Sequence, residues 1–289
     1  MKIQLGPEQC DIGNNRGPAV GMFALQQALR KDMPDWFSIG DEMTLDDTIP
    51  WLWNYEYWPL AVHCHHIGHP FIVGPNMLFA DSRKTRQYAY ERTICDSPHC
   101  RLVLTESQWY RDLIAENLGH ESKAKIAVVP YPVTLPHKHR SFTPVTFDAL
   151  IYVKSGVTDR MVTELELSFP RHITFRYGHY DRDQLIYAAR CSKCCMYLSD
   201  DDRGPLAAAE ILLTGCPVVG VERGCPWIKA IPVVGFLIEE LDCVPLIVQA
   251  ARSHLRCDRQ EVRQISKAFF DPEKAAKAIF AALDEVRQP

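Results

Sequence analysis

No apolar run in this sequence approaches the roughly 18 residues that a membrane span needs, which argues against a transmembrane helix. The opening residues, MKIQLGPEQC, lack the long apolar core of a secretion signal. No stripe of basic residues stands out. The 32 Lys and Arg are outnumbered by 36 Asp and Glu, for a net charge of -4, so nucleic acid is a poor partner. Repeats at solenoid periods and low-complexity segments are missing too, which excludes repeat architectures and long disordered tails. The 11 Cys are scattered and odd in number, and they read as reduced thiols of a cytoplasmic protein.

What is there is enough apolar material for sizeable cores: 289 residues, 47% of them hydrophobic. Short apolar runs alternate with helical patterns. In the first half the strand candidates are Lys2–Gly6, Trp36–Gly40, Leu60–Cys64, Phe71–Val73, Leu102–Thr105 and Ile126–Val129, with helices over Ala19–Arg30 and Gln108–Leu118. In the second half they are Ala149–Val153, Ile173–Tyr177, Cys194–Leu198, Pro217–Val221 and Val233–Ile238. Helical patterns there cover Asp159–Ser168, Asp181–Arg190, Pro205–Thr214 and Val244–Leu255. Such alternation predicts parallel sheets built from βαβ units. Between the halves, the Pro-rich YPVTLPHKHRSFTP (Tyr131 to Pro144) shows no periodicity and reads as a linker. The expected architecture is α/β: two doubly wound, Rossmann-like domains facing a central cleft. The first spans residues 1–140 and the second 141–271, with a last helix at about 272–289 packing back on the first.

One stretch carries most of the chemistry: SDDDRGPLAAAEILLTGCPVVGV, Ser199 to Val221. Leu198 ends a strand, Ser199–Arg203 is a polar loop, and Gly204 and Pro205 open a helix. Leu206, Glu210 and Leu213 fall on one side of that helix, so Glu210 sits among apolar neighbours. A buried carboxylate needs a partner, and ligand hydroxyls suit it. The free N–H groups at the helix start suit a phosphate. Loop and helix together fit a nucleotide bearing a sugar.

Asp202 and Glu210 are separated by seven residues, and DRGPLAAAEILLTGCPVV resembles the Glu-x7-Glu signature of retaining GT-B glycosyltransferases, family 4 in particular. Leu206, Glu210, Gly215, Pro217, Val218 and Val219 are in register with it. Asp202 replaces the first Glu, Gly204 comes one place early, and Pro205 stands for the second Gly. More weakly, GNNRGPAVGMFALQQAL (Gly13–Leu29) is similar to the family's Gly-rich loop and first helix. LVLTESQWYRDLI with KIAVVPYPV resembles the end of its acceptor domain. FRYGHYDRDQLIYAARCSKCCMYLS is similar to the run before the signature, and DPEKAAKAIFAALDEV to the closing helix.

The resemblance implies roles. Glu210 would accept hydrogen bonds from a nucleotide ribose, and Asp202 would face the donor sugar. Backbone N–H groups of Arg203, Gly204 and Leu206 would approach the sugar or diphosphate. In IYVKSGVTDR, Lys154 and Arg160 would neutralise the leaving diphosphate. Gly13 would admit the phosphates, and Gly178 with His179 and Tyr180 would lie beside the base. The family often has a histidine after the strand that FIV resembles, where this chain reads Gly74-Pro75-Asn76. His65 or His66, among His63, His65, His66 and His69, or else Asn76, would take that place. No cofactor and no metal are implied. The implied partners are a nucleoside-diphosphate sugar donor and a glycan, lipid-linked or small-molecule acceptor.

Other readings of the same residues stand beside these. Asp200–Asp202 also reads as a solvated turn, or as an Asp-x-Asp metal motif. Cys191, Cys194 and Cys195, with Cys64 and the nearby histidines, suggest zinc, but Cys194 and Cys195 open a buried-looking strand where Cys behaves as a small hydrophobe, and the His cluster and Cys95 with Cys100 lack the usual paired spacing. The aromatic run PWLWNYEYWP (Pro50–Pro59) reads as packing, as an acceptor cradle or as a peripheral membrane contact on the cytoplasmic face. Two alternative functions are a nucleotide-sugar epimerase on the same fold and a non-catalytic module that binds a nucleotide or glycan.

Overall fold

The computed structural model describes residues 1–6, 17–40, 43–54, 57–76, 85–118, 125–129, 132–135, 144–202, 206–231, 235–238 and 240–287. The chain divides into two compact units: Met1–Pro132 with Pro272–Pro289, and Val133–Asp271.

The first unit holds a six-stranded parallel sheet. Its strands are β1 (Lys2–Gly6), β2 (Phe37–Ile39), β3 (Thr48–Asn54), β4 (Phe71–Asn76), β5 (Cys100–Thr105) and β6 (Lys125–Val128), in the order β2-β1-β3-β4-β5-β6. Helices α1 (Gly17–Leu29), α2 (Trp58–Ile67), α3 (Thr85–Cys95) and α4 (Gln108–Asn117) connect them. The last helix, α10 (Pro272–Arg287), packs against α1. Its Ala275, Ala276, Ile279 and Leu283 join the core formed by Ile3, Leu5, Met22 and Leu25. Phe280 meets Trp36 edge-on at 6.0 Å.

Two features differ from the sequence expectation. Leu60–Cys64 is not a strand but the middle of α2. Pro59 sits in that helix's first turn, and Gly68 caps its end in the left-handed region at φ 74°. The strand is instead Thr48–Asn54, so the first half of the aromatic run is sheet: Trp51 and Trp53 are buried, and the Trp51 indole N–H donates to the Gly74 carbonyl at 2.7 Å. A run of five mostly apolar residues has no period long enough to separate helix from strand, so flanking Pro and Gly decide.

The second unit is a five-stranded parallel sheet. Its strands are β7 (Phe147–Val153), β8 (His172–Arg176), β9 (Ser192–Leu198), β10 (Val218–Gly220) and β11 (Gly235–Leu237), in the order β11-β10-β9-β7-β8. The helices are α5 (Asp159–Ser168), α6 (Arg182–Cys191), α7 (Leu206–Leu213), α8 (Val244–His254) and α9 (Arg259–Phe269). Thr158 caps α5 by accepting the Met161 N–H, and Asp181 caps α6 in a reciprocal box with Gln184. The central strands are apolar because both faces are covered. Ile151, Met196 and Val219 are essentially buried.

This order has a switch point. From β7 the chain first adds β8 on one side, then crosses to add β9 on the other. In open α/β sheets that crevice, beyond the carboxyl ends of the strands, is where ligands bind. Val153 pairs with Leu198 in register, so β7 and β9 end level and Lys154 and Ser199 leave the sheet together.

The described cysteines are all free thiols, and most are buried. Burial pushes Cys64 up to about 11 and Cys100 and Cys216 up to about 12. Among the described residues, no helix is long and apolar enough to cross a membrane.

Candidate active site

Two loops meet at the switch point. The Lys154 and Ser155 N–H groups both donate to the Leu198 carbonyl, at 2.8 and 3.2 Å. The Asp200 N–H donates to Ser155 Oγ at 3.3 Å. Gly156 has φ 78°, and a Cβ there would stand 2.5 Å from the Asp200 Cβ. The loop after β9 is also held from behind. The Asp202 N–H donates to the Arg223 carbonyl at 3.0 Å, and a Cβ on Gly224 would meet the Ser199 carbonyl oxygen at 1.9 Å.

This scaffold buries Asp202, which is 8% exposed. Lys154 Nζ lies 2.6 Å from its Oδ2, and the Tyr197 hydroxyl donates to the same oxygen at 2.6 Å. Oδ1 accepts no described hydrogen bond. Tyr197 belongs to an aromatic stack set by strand register: it faces Tyr152 across β9 and β7, with ring centroids 4.8 Å apart and planes 6° from parallel. The Tyr152 hydroxyl pairs with that of Tyr180 at 2.8 Å. Lys154 Nζ lies 5.1 Å from the centre of the Tyr177 ring. Burial, with the Asp202 charge beside it, pushes the Tyr197 phenol far up, so it stays a donor.

Glu210 is the second buried acid, at 5% exposure on α7. Burial raises its carboxyl above the usual range, and the Arg182 guanidinium opposes the rise. Arg182 Nε donates to Glu210 Oε1 at 2.5 Å, its NH2 group meets the same oxygen, and NH2 reaches the Thr134 carbonyl at 3.4 Å. Oε2 accepts no described hydrogen bond. Tyr180 lies within electrostatic reach of both acids: burial raises its phenol, its bond to Tyr152 lowers it, and Glu210 and Asp202 raise it again.

Of the residues expected from sequence, the structure brings Lys154 to Asp202 and puts Tyr180 within electrostatic reach of Glu210. Leu206 opens α7. Gly178 has φ 81° with open space around it, and His179 is exposed on the same turn. Arg160 is not brought to the cluster: it sits on α5, 88% exposed, and pairs with Glu164 of its own helix. Its place in the first turn of α5 leaves it in solvent, so of the two expected cations only Lys154 meets Asp202. His65 lies on α2 of the first unit, its Nδ1 2.9 Å from Ser97 Oγ. His66 is exposed beside it, and Asn76 ends β4 with its amide donating to Asn54 Oδ1 at 2.8 Å. Gly13, Arg203 and Gly204 lie outside the described residues. Among the described residues no three His, Cys, Asp or Glu side chains gather as a metal site.

Sequence reading missed Arg182 and Tyr197. The Asp181 cap was a signal that Arg182 opens a helix, but its reach to Glu210 spans 28 positions and is not written locally.

No family model matches the sequence, and no curated protein matches it. Solved structures do. Sucrose-phosphate synthase from Thermosynechococcus elongatus aligns with a TM-score of 0.64 at 12% identity, covering 99% of both chains. Anabaena HepE in complex with UDP and glucose aligns at 0.62 with 11% identity, covering 99% of this chain and 100% of that one. Trehalose-6-phosphate synthase OtsA aligns at 0.57 with 12% identity over 94% of this chain and 77% of that one. The fold is GT-B. Its two parallel-sheet α/β units account for the alternation read along the sequence. The GT-B chain thus carries its two buried acids in the loop and helix that follow β9, at the switch point of the second unit.

Proposed function

We propose that this GT-B chain is a glycosyltransferase that moves a sugar from a nucleoside-diphosphate sugar to a glycan, lipid-linked or small-molecule acceptor, with retention of anomeric configuration. The observation that carries this is the state of the two acids. Each is buried, each has one oxygen held by a cation, and among the described residues the other oxygen of each accepts no hydrogen bond. Paired, half-committed carboxylates at a switch point suit a ligand rich in hydroxyls.

In this reading Glu210 accepts from the ribose and Asp202 from the donor sugar. Lys154 turns from Asp202 toward the diphosphate as negative charge grows on it. That supply of positive charge makes a metal unnecessary. The turn from Tyr177 to Tyr180 lies beside the base. The acceptor attacks on the face the diphosphate leaves. Solved neighbours bound to UDP with a sugar support the donor class.

The test is thermal stabilisation by UDP, GDP and ADP and their sugars, for wild type and Glu210→Gln. A ligand at about 100 times its Kd stabilises the native state by about 2.7 kcal/mol. A shift confined to wild type supports the donor site. Equal shifts in both proteins overturn it. Product from the active donor then separates the readings by its anomeric configuration, since an inverted product excludes retention. A non-catalytic binding module is the second reading, favoured by the outward-facing Arg160. It predicts nucleotide binding with no turnover on any acceptor.

A further inference from the structure

Arg182 has no counterpart in the roles assigned so far, yet it makes the closest contacts of either acid. It is placed by the capping box of Asp181 and Gln184, which starts α6 at Arg182 itself. Its Nε and NH2 both converge on Glu210 Oε1, and NH2 also reaches the Thr134 carbonyl. A guanidinium facing a carboxylate ordinarily spreads its two nitrogens over two oxygens. Here both go to one, and the second oxygen of a side chain only 5% exposed accepts no hydrogen bond among the described residues.

We propose that Arg182 is a positioning residue: it clasps Glu210 through Oε1 alone and so presents Oε2 to one hydroxyl of the donor's ribose. This rests on the donor-site reading above. The physical case has two parts. First, a carboxylate on a flexible side chain finds one orientation only if something fixes it, and a planar fork anchored to Thr134 does so where a point charge does not. Second, a carboxyl buried on α7 without a cation prefers its neutral form, which has less capacity to accept. The groups facing Glu210 are few. From α6 come Arg182 and Asp183, and Asp183 adds to the burial effect. From the preceding turn comes Tyr180. The neighbouring strand β10 reads Val-Val-Gly and has nothing to titrate. On α9, which also packs against α7, Arg259 is turned to the carbonyls of Ala189 and Ser192. Arg182 is therefore the cation that acts on Glu210 among the described residues.

The experiment measures binding of UDP, GDP and ADP by calorimetry from pH 5.5 to 8.5, then repeats it with the 2′-deoxy and 3′-deoxy forms of the one that binds. Wild type is expected to bind with a flat profile and to prefer the ribose form. Arg182→Gln is expected to bind more weakly at pH 6 than at pH 8, because the buried Glu210 carboxyl without its cation takes up a proton as the pH falls. Arg182→Lys keeps the charge and loses the fork, so its profile stays flat while its ribose preference falls. Should Arg182→Gln fail to fold, the Arg182→Lys comparison carries the test. An unchanged ribose preference in Arg182→Lys overturns the proposal, as does a pH-independent loss in Arg182→Gln. Glu210→Gln separates the two levels. If it abolishes ribose preference while both Arg182 variants match wild type, the positioning role alone fails. If it binds like wild type, or if no diphosphate binds wild type, the donor site fails and Arg182 with it.

Discussion

Lys154 and Asp202 face each other at the level ends of β7 and β9, with Nζ 2.6 Å from Oδ2. The pair is only partly buried, the lysine side chain being 23% exposed. In the proposed donor site the lysine exchanges Asp202 for an arriving phosphate. Lys154→Met is therefore expected to lower kcat by roughly 100- to 1000-fold, the usual loss for removing one stabiliser of developing charge. The change in KM should be smaller. Steady-state kinetics with the donor that stabilises wild type check this, and a loss confined to KM contradicts it.

Tyr197→Phe removes the phenol that donates to Asp202 while keeping the ring stacked on Tyr152. The expected cost is about 1 kcal/mol in urea unfolding, since a buried acceptor loses one of its bonds. Transfer should fall as Asp202 loosens. Tyr152→Phe is the control: it breaks the bond to Tyr180 but leaves Asp202 untouched. Equal effects of the two changes on transfer contradict a specific role for Tyr197.

Gly156→Ala forces a side chain into a φ of 78° and against Asp200. The backbone conformation alone costs about 1–2 kcal/mol for an L-residue. The contact adds to that, and the loop carrying Asp202 must shift. Unfolding should come at lower urea, and nucleotide binding should weaken beyond what the stability loss explains. Gly178→Ala meets open space and shares only the backbone cost. It is expected to destabilise less.

His254 on α8 gives a pH dependence with a definite sign. Burial lowers its pKa to about 4, against 6.5 in the unfolded chain. Between those values the unfolded state binds the proton and the native state does not, so stability rises with pH across that window. Above pH 6.5 the dependence ends. His254→Phe should flatten the urea midpoint between pH 4.5 and 6.5, and an unchanged slope in the variant contradicts the assignment.

Much of the second unit is legible in its sequence. Asp159–Ser168 is a helix with the bounds its pattern predicts, because Thr158 supplies the cap and the apolar positions fall on one face. The strands ending at Val153 and Leu198 read correctly because apolar runs between polar turns suit a parallel sheet. Other elements were harder to read. Helix α3 (TRQYAYERTIC) has little apolar periodicity, and α9 begins at an Asp258 cap that the reading passed over. The site follows the same division. Asp202 and Glu210 share a local spacing, so they are visible. Tyr197 and Arg182 act through strand register and a capped turn, which no local pattern encodes.

The buried thiols turn each unit into its own clock. Thiolate, the reactive form, is scarce at neutral pH for groups raised as far as Cys64, Cys100 and Cys216. An alkylating reagent must therefore wait for the surrounding structure to open. Cys64 and Cys100 time the first unit, and Cys216 times the second. Mass spectrometry of the modified peptides would read the two opening rates in one sample. A nucleotide held by the second unit alone should slow labelling of Cys216 and leave that of Cys64 and Cys100 where it was.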